Sequence, residues 1–295
     1  MIYHRRKFIK TAATGVALTA LTGKLSGCDS SSTTSSADES LKEFGLQLYT
    51  LRDDMPKDPK GILKQVASMG YKQVESFEDD TLGMFWGMKN TEFKKYLDDI
   101  GLVIVSSHCD IDKNFEQKAD EAAAIGMKYL LSAWVGPQKA LDDYKKIADK
   151  FNERGEICKK AGLKFAYHNH DYSFVKQEGQ FPQDIFMVST NKDTVDFEMD
   201  IYWVVAAGQD PVAWLQKYPN RFKLAHIKDR KKNVPLTNKD ASCIIGQGEI
   251  DFAKILNAGK NNGFEYYIVE QELYENTTPL LAAKADADYL KQLKF

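Results

Sequence analysis

The chain has 295 residues, 43% hydrophobic and 28% charged, a composition too apolar for wholesale disorder and too polar for a multi-span membrane protein. A formal charge of −2 leaves no basic field to hold a nucleic-acid backbone. The four cysteines, at 28, 109, 158 and 243, show no paired spacing, which argues against a disulfide framework or a structural zinc site.

The N-terminus reads as an address. His4-Arg5-Arg6-Lys7-Phe8-Ile9-Lys10 has the twin arginine of a bacterial export signal. Thr11 to Gly23 is short, small and mildly apolar, as a signal core is, and too short to span a bilayer. Leu25-Ser26-Gly27-Cys28 then resembles a lipobox, with Cys28 as the lipidated first residue of the mature protein. Residues 1–27 are expected to be a removed signal peptide, and residues 28–40 a flexible Ser/Thr-rich tether. The expected location is exported, periplasmic or outer-surface, with membrane attachment by the lipid anchor only. Residues 1–27 hold five Lys/Arg and no Asp/Glu, so the remainder is more acidic than the whole.

From Phe44 onward, short apolar runs alternate with helical stretches. Strands are predicted at Gly45–Thr50, Gln73–Ser76, Val103–His108, Tyr129–Ser132, Lys164–Asn169, Thr194–Asp200, Lys223–Ile227 and Tyr266–Glu270. Helices are predicted at Gly61–Ser68, at Thr91–Ile100 with Thr91 as cap, at Lys139–Ala161, and at Asp251–Ala258 opening on Asp251. Gly70, Gly101, Gly126, Gly162 and Gly263 stand where left-handed helix caps precede the next strand. Eight βα units of this length, spanning residues 41–295, predict one (β/α)8 TIM barrel. An open doubly wound sheet is the alternative, weakened because no GxGxxG follows the first strand and Gly246-Gln247-Gly248 falls late.

Apart from His4, every histidine (His108, His168, His170, His226) falls at the C-terminal end of a predicted strand, where a barrel builds its active site. Glu75, Asp200 and Glu270 join them. Strand alternation puts 166, 168 and 170 on one face, Glu198 with Asp200, and His226 with Lys228. Carboxylates and imidazoles converging from strands a βα unit or more apart suit one divalent cation: Mn, Co, Zn, Fe or Mg.

These stretches carry a family resemblance. Gly45-Leu46-Gln47-Leu48-Tyr49-Thr50-Leu51-Arg52, Ala166-Tyr167-His168-Asn169-His170-Asp171, Met199-Asp200-Ile201-Tyr202-Trp203, His226-Ile227-Lys228-Asp229 and Val269-Glu270 make the chain resemble the xylose-isomerase-like barrels, the sugar phosphate isomerase/epimerase group. The resemblance covers almost all of residues 44–295. It implies metal ligands in the order Glu, Asp, His, Glu from strands five to eight. The last three are Asp200, His226 and Glu270. His168 stands where many relatives have the first Glu, and is expected to ligate in its place.

The implied chemistry is proton abstraction next to a carbonyl of a small carbohydrate, as in isomerases and epimerases. Glu270 is the expected base, His108 or His170 the acid, and Lys228 an oxyanion or hydroxyl ligand. Gln47, Arg52, Glu75, Trp134, Asn169 and Trp203 are expected substrate contacts. A dehydratase or lyase acting on a keto-sugar or keto-glycoside is the alternative that His168 favours. A non-catalytic exported sugar-binding lipoprotein is the other.

Overall fold

The computed structural model describes residues 40–295; the expected signal peptide, Cys28 and nearly all of the tether lie outside them. Eight parallel strands close into a barrel. In chain order they are β1 (Gly45–Gln47), β2 (Gln73–Phe77), β3 (Val103–His108), β4 (Tyr129–Ser132), β5 (Lys164–His168), β6 (Val195–Asp200), β7 (Phe222–Ile227) and, after the short hairpin strands β8 (Asp229–Arg230) and β9 (Ser242–Cys243), β10 (Tyr266–Val269). Neighbours around the ring run β1-β10-β7-β6-β5-β4-β3-β2, so each strand pairs with its barrel neighbour in sequence and β1 closes on β10. The open-sheet alternative is excluded.

Helices cover the outside: α1 (Pro59–Met69), α2 (Asn90–Ile100), α3 (Phe115–Ala123), α4 (Leu141–Ala161), α5 (Pro182–Ser189), α6 (Ile201–Ala206), α7 (Pro211–Lys217), α8 (Phe252–Asn262) and α9 (Pro279–Leu290). Asp251 caps α8 as expected, accepting from the Lys254 N–H. Thr91 does not cap α2; the helix begins one residue earlier, and the Asn90 side chain takes the Thr91 N–H instead. The first predicted strand is cut short. At Leu48 the chain enters a 3₁₀ turn, Leu48–Leu51, because the Gln47 carboxamide oxygen captures the Tyr49 N–H at 3.0 Å.

The five expected caps all have positive φ. At Gly263 (φ 120°) a side chain is doubly barred, since a Cβ would sit 2.7 Å from the Asn220 Cα.

The core divides into layers. Leu46, Val74, Ile104, Leu130, Phe165, Phe197 and Ile227 point outward into the helices as one large buried cluster. Inside the barrel, Tyr129, Leu131, Ala166 and Leu224 form a small apolar plug, with Tyr266 packed against it. Two residues further along the same strands, the inward positions turn polar: His168 follows Ala166 and His226 follows Leu224. The plug closes the N-terminal end, so the polar layer faces only the C-terminal mouth.

The GxG late in the chain wraps a carboxylate. The Gly246 and Gly248 N–H groups both donate to Asp229 Oδ2 at 2.9 Å, while the Arg230 and Ile250 N–H groups donate to Oδ1. A Cβ at Gly248 would lie 2.2 Å from Asp229 Oδ1, so this loop needs glycine for close approach. Asp286 of α9 pins the same loop, accepting the Ile245 N–H at 2.7 Å, with its other oxygen buried and unpartnered. Burial pushes the Asp286 carboxyl up to about 8, against the pull of the Ile245 N–H and with Asp229 adding to the rise. The folded state therefore keeps a proton that the unfolded chain, titrating near ~3.9, gives up. Stability from this group is full below about pH 4 and falls by up to about 1.4 kcal/mol per pH unit until pH reaches about 8. Asp286→Asn should lose that slope, so its stability relative to wild type should rise between pH 5 and pH 8 in urea titrations. Parallel pH profiles for the two proteins would refute the assignment.

Candidate active site

A cavity of about 770 Å³ opens at the C-terminal ends of the strands. Six of the residues expected at the site line it: His108, Trp134, His168, His170, Trp203 and Glu270. Asp200, His226 and Lys228 are almost wholly buried beside this lining. Strand register explains the convergence, because Asp200 stands opposite His226 across the β6–β7 pair.

Two carboxylates set the tautomers of the histidines. His168 Nδ1–H donates to Glu198 Oε2 at 3.0 Å, and His226 Nε2–H donates to Glu75 Oε1 at 2.6 Å. With each ring in its neutral form, the other nitrogen is left as a lone-pair donor. Those nitrogens, His168 Nε2 and His226 Nδ1, lie 4.0 and 3.9 Å from Asp200 Oδ2. Glu270 Oε2 is 3.4 Å from His226 Nδ1. Asp200 Oδ2 and His226 Nδ1 are both buried with no hydrogen-bond partner. Buried donor atoms that face one another unpartnered are costly unless a cation joins them. Asp200, His226 and Glu270 place ligand atoms within 4.8 Å of one another, and His108, His168, Glu198 and His226 form a second such group. In the second group the facing atoms are already hydrogen-bonded to each other, so it reads as the support for the first. The set around Asp200, two carboxylates and two imidazoles, fits a borderline divalent cation.

The electrostatics follow from burial. Asp200 is raised to about 7, mainly by burial and against the pull of Lys228. Glu270 is also buried, but Lys228 and His226 reverse that effect and hold its carboxyl well below the usual range. Burial alone would lower Lys228; Glu270, Asp200 and Glu272 raise it instead. The lysine donates to Glu272 Oε1 at 2.6 Å and Glu270 Oε2 at 3.3 Å, and Asp229 is taken up by its own backbone cradle. His108 Nε2 lies 3.0 Å from Glu198 and 3.2 Å from Glu75; burial opposes its charge, yet the two glutamates raise it to about 9. His170 goes the other way, lowered to about 3 by burial and Lys228, and its Nδ1 is buried without a partner.

Four expected substrate contacts do not line the cavity. Gln47 and Glu75 are fully buried one layer deeper, where Gln47 Nε2 donates to Glu75 at 2.7 Å and Ser106 holds the other Glu75 oxygen. Their task is to orient His226. Asn169 exchanges two hydrogen bonds of 3.2 Å with the Asp200 backbone, clamping β5 to β6. Arg52 donates to the carbonyls of Tyr49 and Glu272, tying the loop after β10 to the loop after β1. Sequence reasoning placed Glu198 on the face of Asp200 without giving it a role, and missed Glu272. The two-residue spacing from Asp200 gave the side of the strand for the first, but not its pairing with His168 and His108. Glu272 carries no pattern and reaches the site only because its loop folds over Lys228.

Residues 63–293 match the xylose isomerase-like TIM barrel family. The chain belongs to that family. A sugar phosphate isomerase/epimerase from Parabacteroides distasonis shares 32% identity with it and a TM-score of 0.72, over 87% of this chain and 96% of that one. An inosose dehydratase from Clostridium perfringens is 32% identical over 144 residues, 44% of this chain and 48% of that protein, so the match spans about half the relative's length. The IOLI protein, crystallised with a zinc atom, shares the barrel at 18% identity and a TM-score of 0.67, covering 83% of this chain and 95% of its own. The family's members process sugars, and they include isomerase/epimerase and dehydratase types.

Proposed function

We propose that the chain is a divalent-metal-dependent isomerase or epimerase of a sugar or keto-sugar, working by proton abstraction next to a carbonyl. The observation that carries this reading is the convergence of Asp200, His226 and Glu270 beside a cavity whose wall also holds His108 and His170. A cation held by His168, Asp200, His226 and Glu270 would supply Lewis-acid polarisation of a carbonyl.

The chain's own groups do the rest. Glu270, kept ionised by Lys228, accepts the α proton. Lys228 keeps the carboxylate oriented, and Glu272 holds the lysine. His108, gripped by Glu75 and Glu198, is the group placed to return a proton to oxygen. His170, kept neutral by burial and Lys228, stands in the cavity wall as an uncharged polar contact for a substrate hydroxyl.

Dehydration of a keto-sugar is the second reading, favoured by one observation. The residue at the end of β5 is His168, engaged with Glu198, so the cavity lining offers Glu270 but no second carboxylate from β5 for a two-base epimerisation. Loss of a β-hydroxyl needs one base and one acid, which Glu270 and His108 provide. The readings separate when the metal-loaded protein is incubated with ketoses and keto-sugars in D2O. An isomerase or epimerase incorporates deuterium at the α carbon and otherwise conserves mass; a dehydratase loses water. A ligand that binds with neither outcome would leave a sugar-binding protein.

A further inference from the structure

The cavity is larger than one sugar and its walls are unequal. A hexose has about twelve non-hydrogen atoms; granting each a full water's share of ~30 Å³, it fills at most ~360 Å³. The cavity, at about 770 Å³, has room for roughly twice that. A ligand that excludes water from it must extend past the reacting ring.

Charge restricts the extension. Apart from Glu270, seven carboxylates line the cavity, against two lysines and no arginine. Both lysines are already paired, Lys113 with Asp110 at 3.0 Å and Lys239 with Asp171 at 3.1 Å. A phosphate or carboxylate on the substrate would meet repulsion and find no uncommitted cation.

The aromatics locate the extension. Trp203 is occupied: Lys228 Nζ lies 4.9 Å from its ring centroid, Tyr202 meets it edge-on at 4.9 Å, and His170 packs at 5.3 Å. Tyr49 carries the Arg52 guanidinium over its ring at 4.8 Å. Trp134 stands apart. It is 59% exposed, and its neighbours His170 and Tyr172 stand perpendicular to it at 4.6 and 4.9 Å, fixing its plane. It therefore presents a rigid apolar surface beside the reacting groups, joined to them through His170.

We infer that the substrate is an uncharged two-ring molecule, a keto-glycoside whose second ring, sugar or aryl, packs on Trp134 while the carbonyl-bearing ring meets Glu270. This rests on the sugar-processing reading above, and specifies its substrate as neutral and extended. The apolar face shared by pyranose and aryl rings is what Trp134 recognises.

The test uses the metal-loaded full chain and calorimetric titration with three probe sets, each in gluco, galacto and xylo configuration: the free sugar, its phenyl glycoside, and its disaccharide with glucose. Glucose 6-phosphate and galactose 6-phosphate serve as the charged controls. At least one glycoside or disaccharide should bind about tenfold more tightly than its parent sugar, and the phosphates should bind more weakly than the free sugars. Trp134→Ala should remove the glycoside advantage, lowering affinity for the two-ring probes about tenfold more than for the free sugar; Trp134→Phe should restore part of it. Which arm responds, phenyl or disaccharide, identifies the second ring. The inference is overturned if no two-ring probe outbinds its parent sugar, if the phosphates bind best, or if Trp134→Ala is silent. α-Proton exchange in D2O is read separately, on the ketoses and keto-sugars named above, because the phenyl glycosides carry no carbonyl and serve only to measure binding. A glycoside preference without exchange would sink the catalytic reading and spare the subsite, and exchange without the preference would do the reverse.

Discussion

Asp200→Asn should purify with no bound divalent metal and show no rise in Tm when metal is added, while wild type gains several degrees under the same titration. Asp200 Oδ2 is buried, has no hydrogen-bond partner, and faces lone-pair nitrogens of two histidines. Removing its charge should weaken metal binding at least about a hundredfold. The choice of asparagine matters. Asp200 Oδ1 also caps α6, accepting the Trp203 N–H at 3.0 Å. Asparagine is as good a cap, whereas Asp200→Ala loses it and should cost about 1 kcal/mol more. Equal metal loss in both variants, with the extra destabilisation confined to alanine, separates the ligand role from the structural one. Metal content unchanged in Asp200→Asn, measured by atomic emission on dialysed protein, would refute the centre. Binding that stabilises only the folded state raises stability with metal concentration, so the Tm titration reads the same equilibrium independently.

Glu270→Gln should abolish exchange of the substrate α proton, by a factor of about 10² to 10⁴ at saturating metal. The variant keeps the shape of the side chain. Lys228 stays paired through Glu272 at 2.6 Å and near Asp200 at 3.8 Å, so no cation is stranded in the buried layer. Metal affinity should fall as well, because one ligand oxygen loses its charge; the measurement is therefore made with metal in excess and occupancy confirmed. If exchange persists at full occupancy, Glu270 is not the base. Glu272→Gln provides the contrast: it should leave metal content intact and lower the exchange rate only by loosening Lys228.

The strands were legible because buried parallel strands are short continuous apolar runs, and these are separated by left-handed glycine caps that no other signal mimics. β3 and β4 fall on their expected bounds. The short helices α3, α5, α6 and α7 were not legible, since one or two turns expose too few positions for a 3.6-residue period to stand out. β1 was overrun because a single hydrogen bond donated by the Tyr49 N–H to the Gln47 side chain ends it, and local capture of this kind leaves no trace in hydropathy.

For the site, the chain order alone determined which residues reach the rim. Histidines and carboxylates at the ends of successive strands must meet once those strands close, whatever the loops do. Depth was decided by the tertiary structure. Gln47, Glu75 and Glu198 share the inward parity of the rim residues but sit one pleat lower, since Gln47 pairs with Glu75, Glu75 with Ser106 two residues before His108, and Glu198 with Leu224 two residues before His226. That difference turns a substrate contact into a support that fixes a histidine tautomer. A sequence specifies the parity of a side chain through the two-residue period of a strand, but its height in the barrel depends on stagger between strands, which only the closed ring defines.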